Sequence, residues 1–180
     1  SEERAYLEFL LGLPHRGVLV YSSDAGAEFA SKYREEIRRA GYLVNVPDIA
    51  TFRKAFNKDC IYKVCAECDV PTMRTREVAG LEDLYEAERA IGLPLILKPT
   101  RLAGGRYRKI ARAEEIPAAY EEMTQLVRSE EFAAQQSGLI VQEFVDHAYD
   151  DIYCCESYYG LRHSERHFLS IRKIRPNINY

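Results

Sequence analysis

Hydrophobic and polar positions along the first 56 residues predict a strand, a helix and a second strand. RGVLVYSSD (16–24) is apolar enough for a short buried strand, and its closing Ser-Ser-Asp cluster offers a cap for the helix that follows. That helix is expected to stop at Gly41, and YLVNVP (42–47) is predicted to be a second strand. A strand, a helix and a strand of this length predict a βαβ unit with a parallel sheet.

Beyond residue 56 the periodicity alternates between that of helices and that of strands. A helix from Asn57 carries apolar and cysteine side chains at offsets of three and four, which predicts that one face packs inward. Two more helices are predicted over residues 81–91 and 113–128. Strands are predicted for TMRTREV (72–78), LPLILKP (93–99), RYRKIA (106–111), GLIVQEFVD (138–146) and an antiparallel pair, DIYCCESYYG (151–160) and RHFLSIRKIR (166–175).

These elements predict an α/β fold in two parts. The boundary is expected near residues 50–57. It separates a small parallel βαβ piece (1–56) from an α+β part with antiparallel strands (57–180). No internal repeat or low-complexity linker in the sequence indicates a further division.

The composition is that of a globular protein. Of the 180 residues, 47% are hydrophobic and 29% are charged. No apolar run approaches the roughly 18 residues that a membrane span requires, and the N-terminus lacks the pattern of a signal peptide. We therefore expect a cytoplasmic protein without a membrane partner.

Charge is nearly balanced over the whole chain but not along it. The 25 basic and 28 acidic side chains give a net charge of -3, which argues against a nucleic-acid partner. Residues 98–112, in contrast, contain no acidic side chain. Such a basic run is either a solvated face or a site for an anion. Its six cations are Lys98, Arg101, Arg106, Arg108, Lys109 and Arg112.

Among the five cysteines, the pair with CxxC spacing favours buried thiols over a metal or redox site. Cys65 and Cys68 have CxxC spacing, but they lie in a predicted helix without a second CxxC to complete a zinc site. Burial as small apolar side chains is the interpretation that this context favours. Cys154 and Cys155 are adjacent in a predicted strand, so they are expected on opposite faces.

The segment IGLPLILKPTRLAGGRYRKI (91–110) is predicted to form a hairpin over an anion. In phosphate loops of the GxxxxGKS/T and GxGxxG types the glycines lead directly into a helix, whereas RYRKIA after Gly104 and Gly105 is strand-like. A flap of strand, glycine loop and strand remains, with Lys98 presenting an ammonium group to the same anion. Taken alone, the glycine pair is equally consistent with a plain turn.

Three motifs, in this order, resemble those of the ATP-grasp superfamily. NKDCIYKVCAECDVPTMRT (57–75) is similar to the helix, opened by a lysine, that leads to a G-V-P-x-P-x-T-like turn. GLPLILKP (92–99) with AGGRYRKI (103–110) is similar to the F-P-x-x-x-K-P strand and its flexible glycine loop. LIVQEFVDH (139–147) is similar to V-Q-E-F/Y-I-x-G. The resemblance implies that residues 1–56 are the last part of the α/β domain that precedes the ATP-grasp fold.

The resemblance implies an ATP site whose phosphates meet two lysines and a flap. It assigns Lys58 and Lys98 to the phosphates and Gly104 and Gly105 to the flap. The alternative for Lys58 is an ordinary solvent-exposed lysine.

At the other end of this implied site, residues 142–147 form the hinge that holds the adenine. Glu143 is the hinge acid near the adenine amino group, and the backbone of Phe144 and Val145 offers the donor and acceptor that read the purine edge. A carboxylate shortly after the hinge takes the ribose hydroxyls, and Asp150 and Asp151 both remain candidates. The alternative for Glu143 is a cap on a strand end without a ligand contact.

The chain departs from the family pattern at several positions. His147 stands at the hinge glycine and Met73 at a proline. The flap lacks its usual serine and has Arg101 and Arg106, which are expected as additional phosphate contacts.

No acidic residue follows Glu165, so the family's final E-x-N-like metal motif is absent from this chain. The Mg²⁺ ligands are therefore expected beyond residue 180, in a larger protein of which this chain is the front part. This chain alone is expected to be inactive.

The resemblance implies a carboxylate ligase as the intact protein. It would bind ATP and Mg²⁺, phosphorylate an unidentified carboxylate and let an amine, thiol or other nucleophile displace phosphate, in the carbamoyl-phosphate-synthase-like and amino acid ligase branch. One alternative is a non-catalytic nucleotide-binding module. Another is an interaction domain whose basic flap meets an acidic polymer. The sequence leaves the formation of a homo-oligomer open.

Overall fold

The computed structural model describes residues 2–101, 106–129, 137–146, 153–160 and 165–172. The chain divides into two compact units, residues 1–144 and 145–180. None of the described helices is both long and apolar enough to cross a membrane. In chain order the elements of the described residues are α1 (Glu2–Gly12), β1 (Val18–Leu19), α2 (Asp24–Lys32), α3 (Arg34–Arg39), β2 (Leu43–Val44), α4 (Ile49–Phe56), α5 (Lys58–Glu67), β3 (Thr75–Val78), α6 (Leu81–Ile91), β4 (Leu95–Pro99), β5 (Arg108–Ile110), α7 (Ile116–Arg128), β6 (Leu139–Glu143), β7 (Tyr153–Tyr159) and β8 (Arg166–Arg172).

The predicted βαβ unit is present, and its two strands are parallel. Val18 of β1 lies opposite Leu43 of β2. The prediction that the first strand is buried is wrong, because Val18 is 69% exposed and Leu43 is 60% exposed. Val44, whose side chain points to the other face of the sheet, is only 2% exposed. The two-stranded sheet therefore buries one face and leaves apolar side chains on the other.

The connection between these strands is two helices where one was predicted. The Ser23 hydroxyl caps α2 by accepting from the Gly26 N–H at 3.1 Å, as the Ser-Ser-Asp cluster predicted. The helical run breaks at Tyr33, which ends α2 and precedes α3. Gly41 follows with a φ of +93°, a conformation that glycine adopts readily.

The second sheet has four strands in the order β3-β6-β4-β5. All neighbouring strands in it are antiparallel. Leu95 pairs with Ile110 and Leu97 with Arg108, so the segment that contains the glycine pair joins two hairpin strands, as predicted. The interior strands β4 and β6 are the two with the longest apolar runs, and each has a partner on both sides.

The first unit has two hydrophobic cores. The larger lies between the four-stranded sheet and helices α6 and α7. Its most deeply buried members are Leu84, Ala87, Leu95, Leu97, Ile110, Ile116, Ala119 and Val141. The smaller lies between β2 and helices α1, α2 and α3, and contains Leu7, Leu10, Ala30, Ile37, Tyr42, Val44 and Val46. Both cores belong to the same compact unit. The predicted domain boundary near residues 50–57 stays a prediction.

The segment between the cores differs from what the sequence predicted. Helix α4 was not predicted, although Asp48 caps it by accepting from the Thr51 N–H at 2.9 Å. In α5 no side chain is fully buried, and Ile61 is 41% exposed, so the predicted inward face is at most half-buried. Exposure also contradicts the prediction of buried thiols, because Cys68 is exposed and Cys65 is only half-buried.

The second unit contains one described hairpin. Strand β7 pairs with β8 in antiparallel register, with Ser157 opposite Phe168, as the sequence predicted. Cys154 and Cys155 are both free and both exposed. Since these residues are neighbours in β7, they lie on opposite faces.

Candidate nucleotide site

The four-stranded sheet has an apolar face and a face that carries lysines. Alternation along β4 directs Leu95 and Leu97 into the larger core and Lys98 to the other side. The strand register places Gln142 and Lys109 on the same face as Lys98. Both residues pair with Ile96, Gln142 from β6 and Lys109 from β5. We call this surface the lysine face and define it by Thr75, Ile96, Lys98, Lys109, Ile140 and Gln142.

Lys98 is held in place by neutral partners. Its Nζ donates to Gln142 Oε1 at 2.7 Å, and Gln142 Nε2 donates to Thr75 Oγ1 at 2.7 Å. Thr75 in turn donates to the Met73 carbonyl at 2.8 Å. Gln142 is only 8% exposed, so its amide has a fixed orientation inside the sheet. The half-buried ammonium of Lys98 is thus oriented by an amide oxygen without a neutralising carboxylate contact.

Lys58 approaches Lys98 from the first turn of α5. Its backbone N–H donates to the Thr100 carbonyl at 3.0 Å, which joins the start of α5 to the end of β4. Burial lowers the pKa of Lys98, and the positive charge of Lys58 lowers it further. Burial also lowers the pKa of Lys58, while Asp24 acts in the opposite direction. The structure therefore brings the two predicted lysines together, in an arrangement that favours an anion.

Glu143 ends β6 in contact with Arg74. The Glu143 carboxylate accepts from the Arg74 N–H at 3.0 Å and from Arg74 Nε at 2.6 Å, and the Glu143 N–H donates to the Arg74 carbonyl at 3.0 Å. These hydrogen bonds hold the pKa of Glu143 below its ordinary value. The carboxylate thus connects the end of β6 to the residue before β3. Its predicted position near an adenine amino group stays a prediction.

Phe144 follows directly and is tied to β4. Its N–H donates to the Pro94 carbonyl at 3.2 Å, so the hydrogen bond that this group can donate is made within the protein. The Phe144 carbonyl is therefore the group of this residue that suits the predicted contact with a purine edge. Val145 is the first residue of the second unit. Its predicted contact with the base stays a prediction.

Four predicted site residues, Gly104, Gly105, Asp150 and Asp151, lie outside the described residues. Their assignments to the flap and to ribose stay predictions. Arg101, expected to contact phosphate, instead donates from Nη2 to Glu28 Oε2 at 2.6 Å. This contact directs Arg101 towards α2.

Two residues of the site were not singled out from the sequence. Gln142 orients Lys98, and Arg74 holds Glu143. A polar side chain within the apolar run LIVQEF was a usable signal for Gln142, because buried polar groups require hydrogen-bond partners. Arg74 had no such signal. Lys109 was named only as a member of the basic run, and its Nζ lies 3.6 Å from the ring centroid of Phe144.

A pocket of about 420 Å³ lies at the opposite end of β6 from Glu143. Thr100, Arg101, Gly138 and Leu139 contribute to its lining, together with Asn57. The lining includes neither Lys58 nor Lys98, but it includes Asn57 and Asp59, the two chain neighbours of Lys58. Within the part of the chain that the structure describes, no group of three or more His, Cys, Asp or Glu residues could hold a metal ion.

No family model matches the sequence. A curated relative, the formate-dependent phosphoribosylglycinamide formyltransferase of a Nitratiruptor species, is 33% identical over 120 residues. The match covers 64% of this chain and 28% of the relative. This chain thus corresponds to much less than half of the relative's length.

Two solved structures have similar folds. The N5-carboxyaminoimidazole ribonucleotide synthetase of Thermus thermophilus has a TM-score of 0.68 at 21% identity, over 98% of this chain and 42% of that one. The RimK domain protein ATP-grasp of Sphaerobacter thermophilus has a TM-score of 0.52 at 19% identity, over 74% of this chain and 45% of that one. The resemblance to the ATP-grasp superfamily that the sequence motifs indicated is thereby confirmed, and this chain has the fold of part of such proteins.

Proposed function

We propose that the first unit binds ATP on its lysine face, as part of an intact ligase that activates a carboxylate. The observation that carries this proposal is the hydrogen bond from the Lys58 N–H to the Thr100 carbonyl, which joins the start of α5 to the end of β4 and brings two half-buried lysines towards each other. Two ammonium groups that repel each other are stabilised by an anion placed between them. Polyphosphate is the anion that the ATP-grasp relationship supports.

The proposed orientation of the nucleotide follows from the two ends of β4. Its phosphates lie at the Thr100 end, where Lys58 and Lys98 meet, and its base lies at the Pro94 end, beside Glu143 and Phe144. In the proposed reaction a carboxylate oxygen attacks the γ-phosphorus of ATP, ADP leaves, and an acyl phosphate forms. An amine or other nucleophile then attacks the acyl carbon and releases phosphate. The lysines neutralise charge on the transferred phosphoryl group.

Magnesium belongs to this proposal only with ligands outside the described residues. Phosphoryl transfer by such enzymes requires a divalent cation held by carboxylates. The described residues do not fit such a site, because they contain no metal-binding cluster and Glu143 is engaged by Arg74. This disagreement favours a second candidate function, that of a nucleotide-binding module without catalysis. The substrate, the carbamoyl-phosphate-synthase-like branch, the oligomeric state and the cytoplasmic location stay predictions.

The proposal is tested by titrating the 180-residue chain and its Lys98→Met variant with ATP. Losing a charge-assisted contact with phosphate is expected to weaken ATP binding about tenfold or more. Lys54→Met is the matched control, because Lys54 is an exposed lysine on α4 and is expected to leave the affinity unchanged. Isothermal titration calorimetry measures both. Absence of ATP binding by the unmodified chain, or equal losses in the two variants, would contradict the proposal.

A turnover assay tests whether this chain catalyses the reaction by itself. The chain is incubated with ATP, Mg²⁺ and a small carboxylate such as formate, and ADP release is followed with and without hydroxylamine, which traps acyl phosphates. ADP release that depends on the carboxylate supports catalysis by this chain itself. ATP binding without ADP release supports a nucleotide-binding module or a part of a larger enzyme.

A further inference from the structure

We propose that Lys109 is a further nucleotide-binding residue and that its ammonium group contacts the purine base. This inference rests on the proposed function. The observation behind it is the position of Lys109 Nζ, 3.6 Å from the ring centroid of Phe144, on the same face of the sheet as Lys98.

The position of Lys109 along the sheet separates it from the phosphate end. Lys109 pairs with Ile96, and its ammonium reaches Phe144, whose N–H bonds to the Pro94 carbonyl. Lys98 lies four residues after Pro94. In an extended strand this separates their Cα atoms by about 13 Å. The ammonium group of Lys109 therefore lies towards the Pro94 end of the lysine face, over Phe144, whereas that of Lys98 is bonded to Gln142.

The other cations of the basic run show what is distinctive about Lys109. Three of them pair with carboxylates: Arg101 with Glu28 at 2.6 Å, Arg108 with Glu122 at 3.7 Å and Arg112 with Glu115 at 3.1 Å. The contact of Lys109 is with an aromatic ring, and within the described part of the chain it forms no ion pair. Lys98 likewise contacts a neutral amide. The two cations of the run that lie on the lysine face are thus not neutralised by these contacts.

The chemistry of this pair suits a purine. An ammonium group has three N–H donors and no acceptor, so it complements the ring nitrogens of adenine, which are acceptors. The aromatic ring below it holds the cation by a cation–π contact. Lys109 is exposed, whereas Phe144 is half-buried, so the ammonium can donate to a ligand without leaving the ring. A phosphate contact would require the ammonium to turn away from Phe144 towards Thr100.

A Lys109→Met variant, titrated with ATP, ADP and AMP, tests the assignment. Methionine keeps the length and the contact with the ring but removes the donors. Because the base is common to the three nucleotides, we expect the same loss of affinity for each, about fivefold. Lys98→Met is expected to give a loss that is largest for ATP and smallest for AMP. Lys109→Arg is expected to retain most of the affinity, since it keeps a cation and donors over the ring.

Arg108→Met is the matched control, because Arg108 is the neighbouring residue of β5 on the opposite face and pairs with Glu122. It is expected to leave all three affinities unchanged. Circular dichroism on heating checks that each variant is folded.

The outcomes separate the inference from the proposed function. If the unmodified chain binds none of the nucleotides, the proposed function fails. If it binds them and Lys109→Met binds all three equally well, or if Arg108→Met loses as much, the inference about Lys109 is overturned while the ATP site stands. A Lys109→Met loss that grows with the number of phosphates would place the ammonium at the phosphates and overturn the assignment to the base.

Discussion

The two sheets of the first unit contain similarly apolar sequence but bury it to very different extents. Leu97 in β4 and Val141 in β6 are fully buried, whereas Val18 in β1 is 69% exposed. Strands β4 and β6 have a paired strand on each side, and α6 and α7 cover one of their faces. Strands β1 and β2 pair with each other only, within the described residues, and bury one face. An apolar run therefore predicts a strand, but its burial depends on which elements cover it.

The largest expected effect is the difference in lost stability between a substitution in the four-stranded sheet and one in the two-stranded sheet. Leu97→Ala is expected to lower the free energy of unfolding by about 3 kcal/mol, because it leaves a cavity in the larger core. Val18→Ala is expected to change it by less than about 0.5 kcal/mol, because the side chain is mostly in water. Urea unfolding followed by circular dichroism measures both values. Equal losses would show that β1 is covered in solution and would remove the contrast.

A smaller effect tests how the region of the two-stranded sheet is held together. The buried hydroxyl of Tyr42 donates to the Leu10 carbonyl at 2.8 Å and thereby joins β2 to α1. Tyr42→Phe is expected to lower the free energy of unfolding by about 1 kcal/mol, since the carbonyl loses the shorter of its two hydrogen bonds and keeps the one from the Leu13 N–H at 3.3 Å. Tyr21→Phe is the control, because the exposed Tyr21 hydroxyl lies 3.5 Å from the Asn45 carbonyl and is expected to contribute little. A loss in Tyr21→Phe that equals the loss in Tyr42→Phe would contradict this account.

The smallest effect concerns helix caps and their dependence on pH. Asp83 accepts from the backbone N–H groups of Gly80 at 2.8 Å and Ala79 at 2.7 Å, and these bonds lower its pKa below 3.8. Its stabilisation is therefore complete above pH 3.8 and is lost as the pH falls through the lowered value. Asp83→Asn is expected to cost about 1 kcal/mol at neutral pH and progressively less below pH 3.8.

The Ser23 cap of α2 provides the comparison from the other region. Its hydroxyl does not titrate, so the cost of Ser23→Ala is expected to stay constant over the same pH range, at about 1 kcal/mol. Urea unfolding at neutral pH and at pH values below 3.8 measures both series. If Asp83→Asn costs the same at every pH, its carboxylate charge makes no contribution to the cap.

Much of the fold was predictable because local patterns agree with the structure. Alternation and apolar runs predicted the strands of the four-stranded sheet, and RYRKIA after the glycine pair predicted a hairpin. The short connection of β1 to β2 predicted their parallel pairing. Helix α4 was missed although its sequence, IATFRKAF, is amphipathic and follows the capping residue Asp48. Cys65 and Cys68 were misjudged because a thiol is compatible with a core or a surface, and only the packing around α5 decides.

Within the candidate site, the sequence predicted only those residues that lie in recognisable motifs. Lys58 and Lys98 were found through motifs, and their approach is seen in the structure. The expected phosphate contact of Arg101 stays a prediction, and its guanidinium group is engaged by Glu28, 73 positions away in the sequence. Sequence spacing carries no information about such a partner.

By itself the sequence determined the order of helices and strands, the hairpin around the glycine pair and the relationship to ATP-grasp proteins. These depend on side-chain periodicity and local turn chemistry, which act between near neighbours. Only the tertiary structure decided that Gln142 orients Lys98, that Arg74 holds Glu143 and that Lys109 lies over Phe144. These contacts join residues that are far apart in the chain, as Lys98 and Gln142 are 44 positions apart. They exist because strand pairing brings distant segments to one face of a sheet, and that pairing is a property of the whole fold.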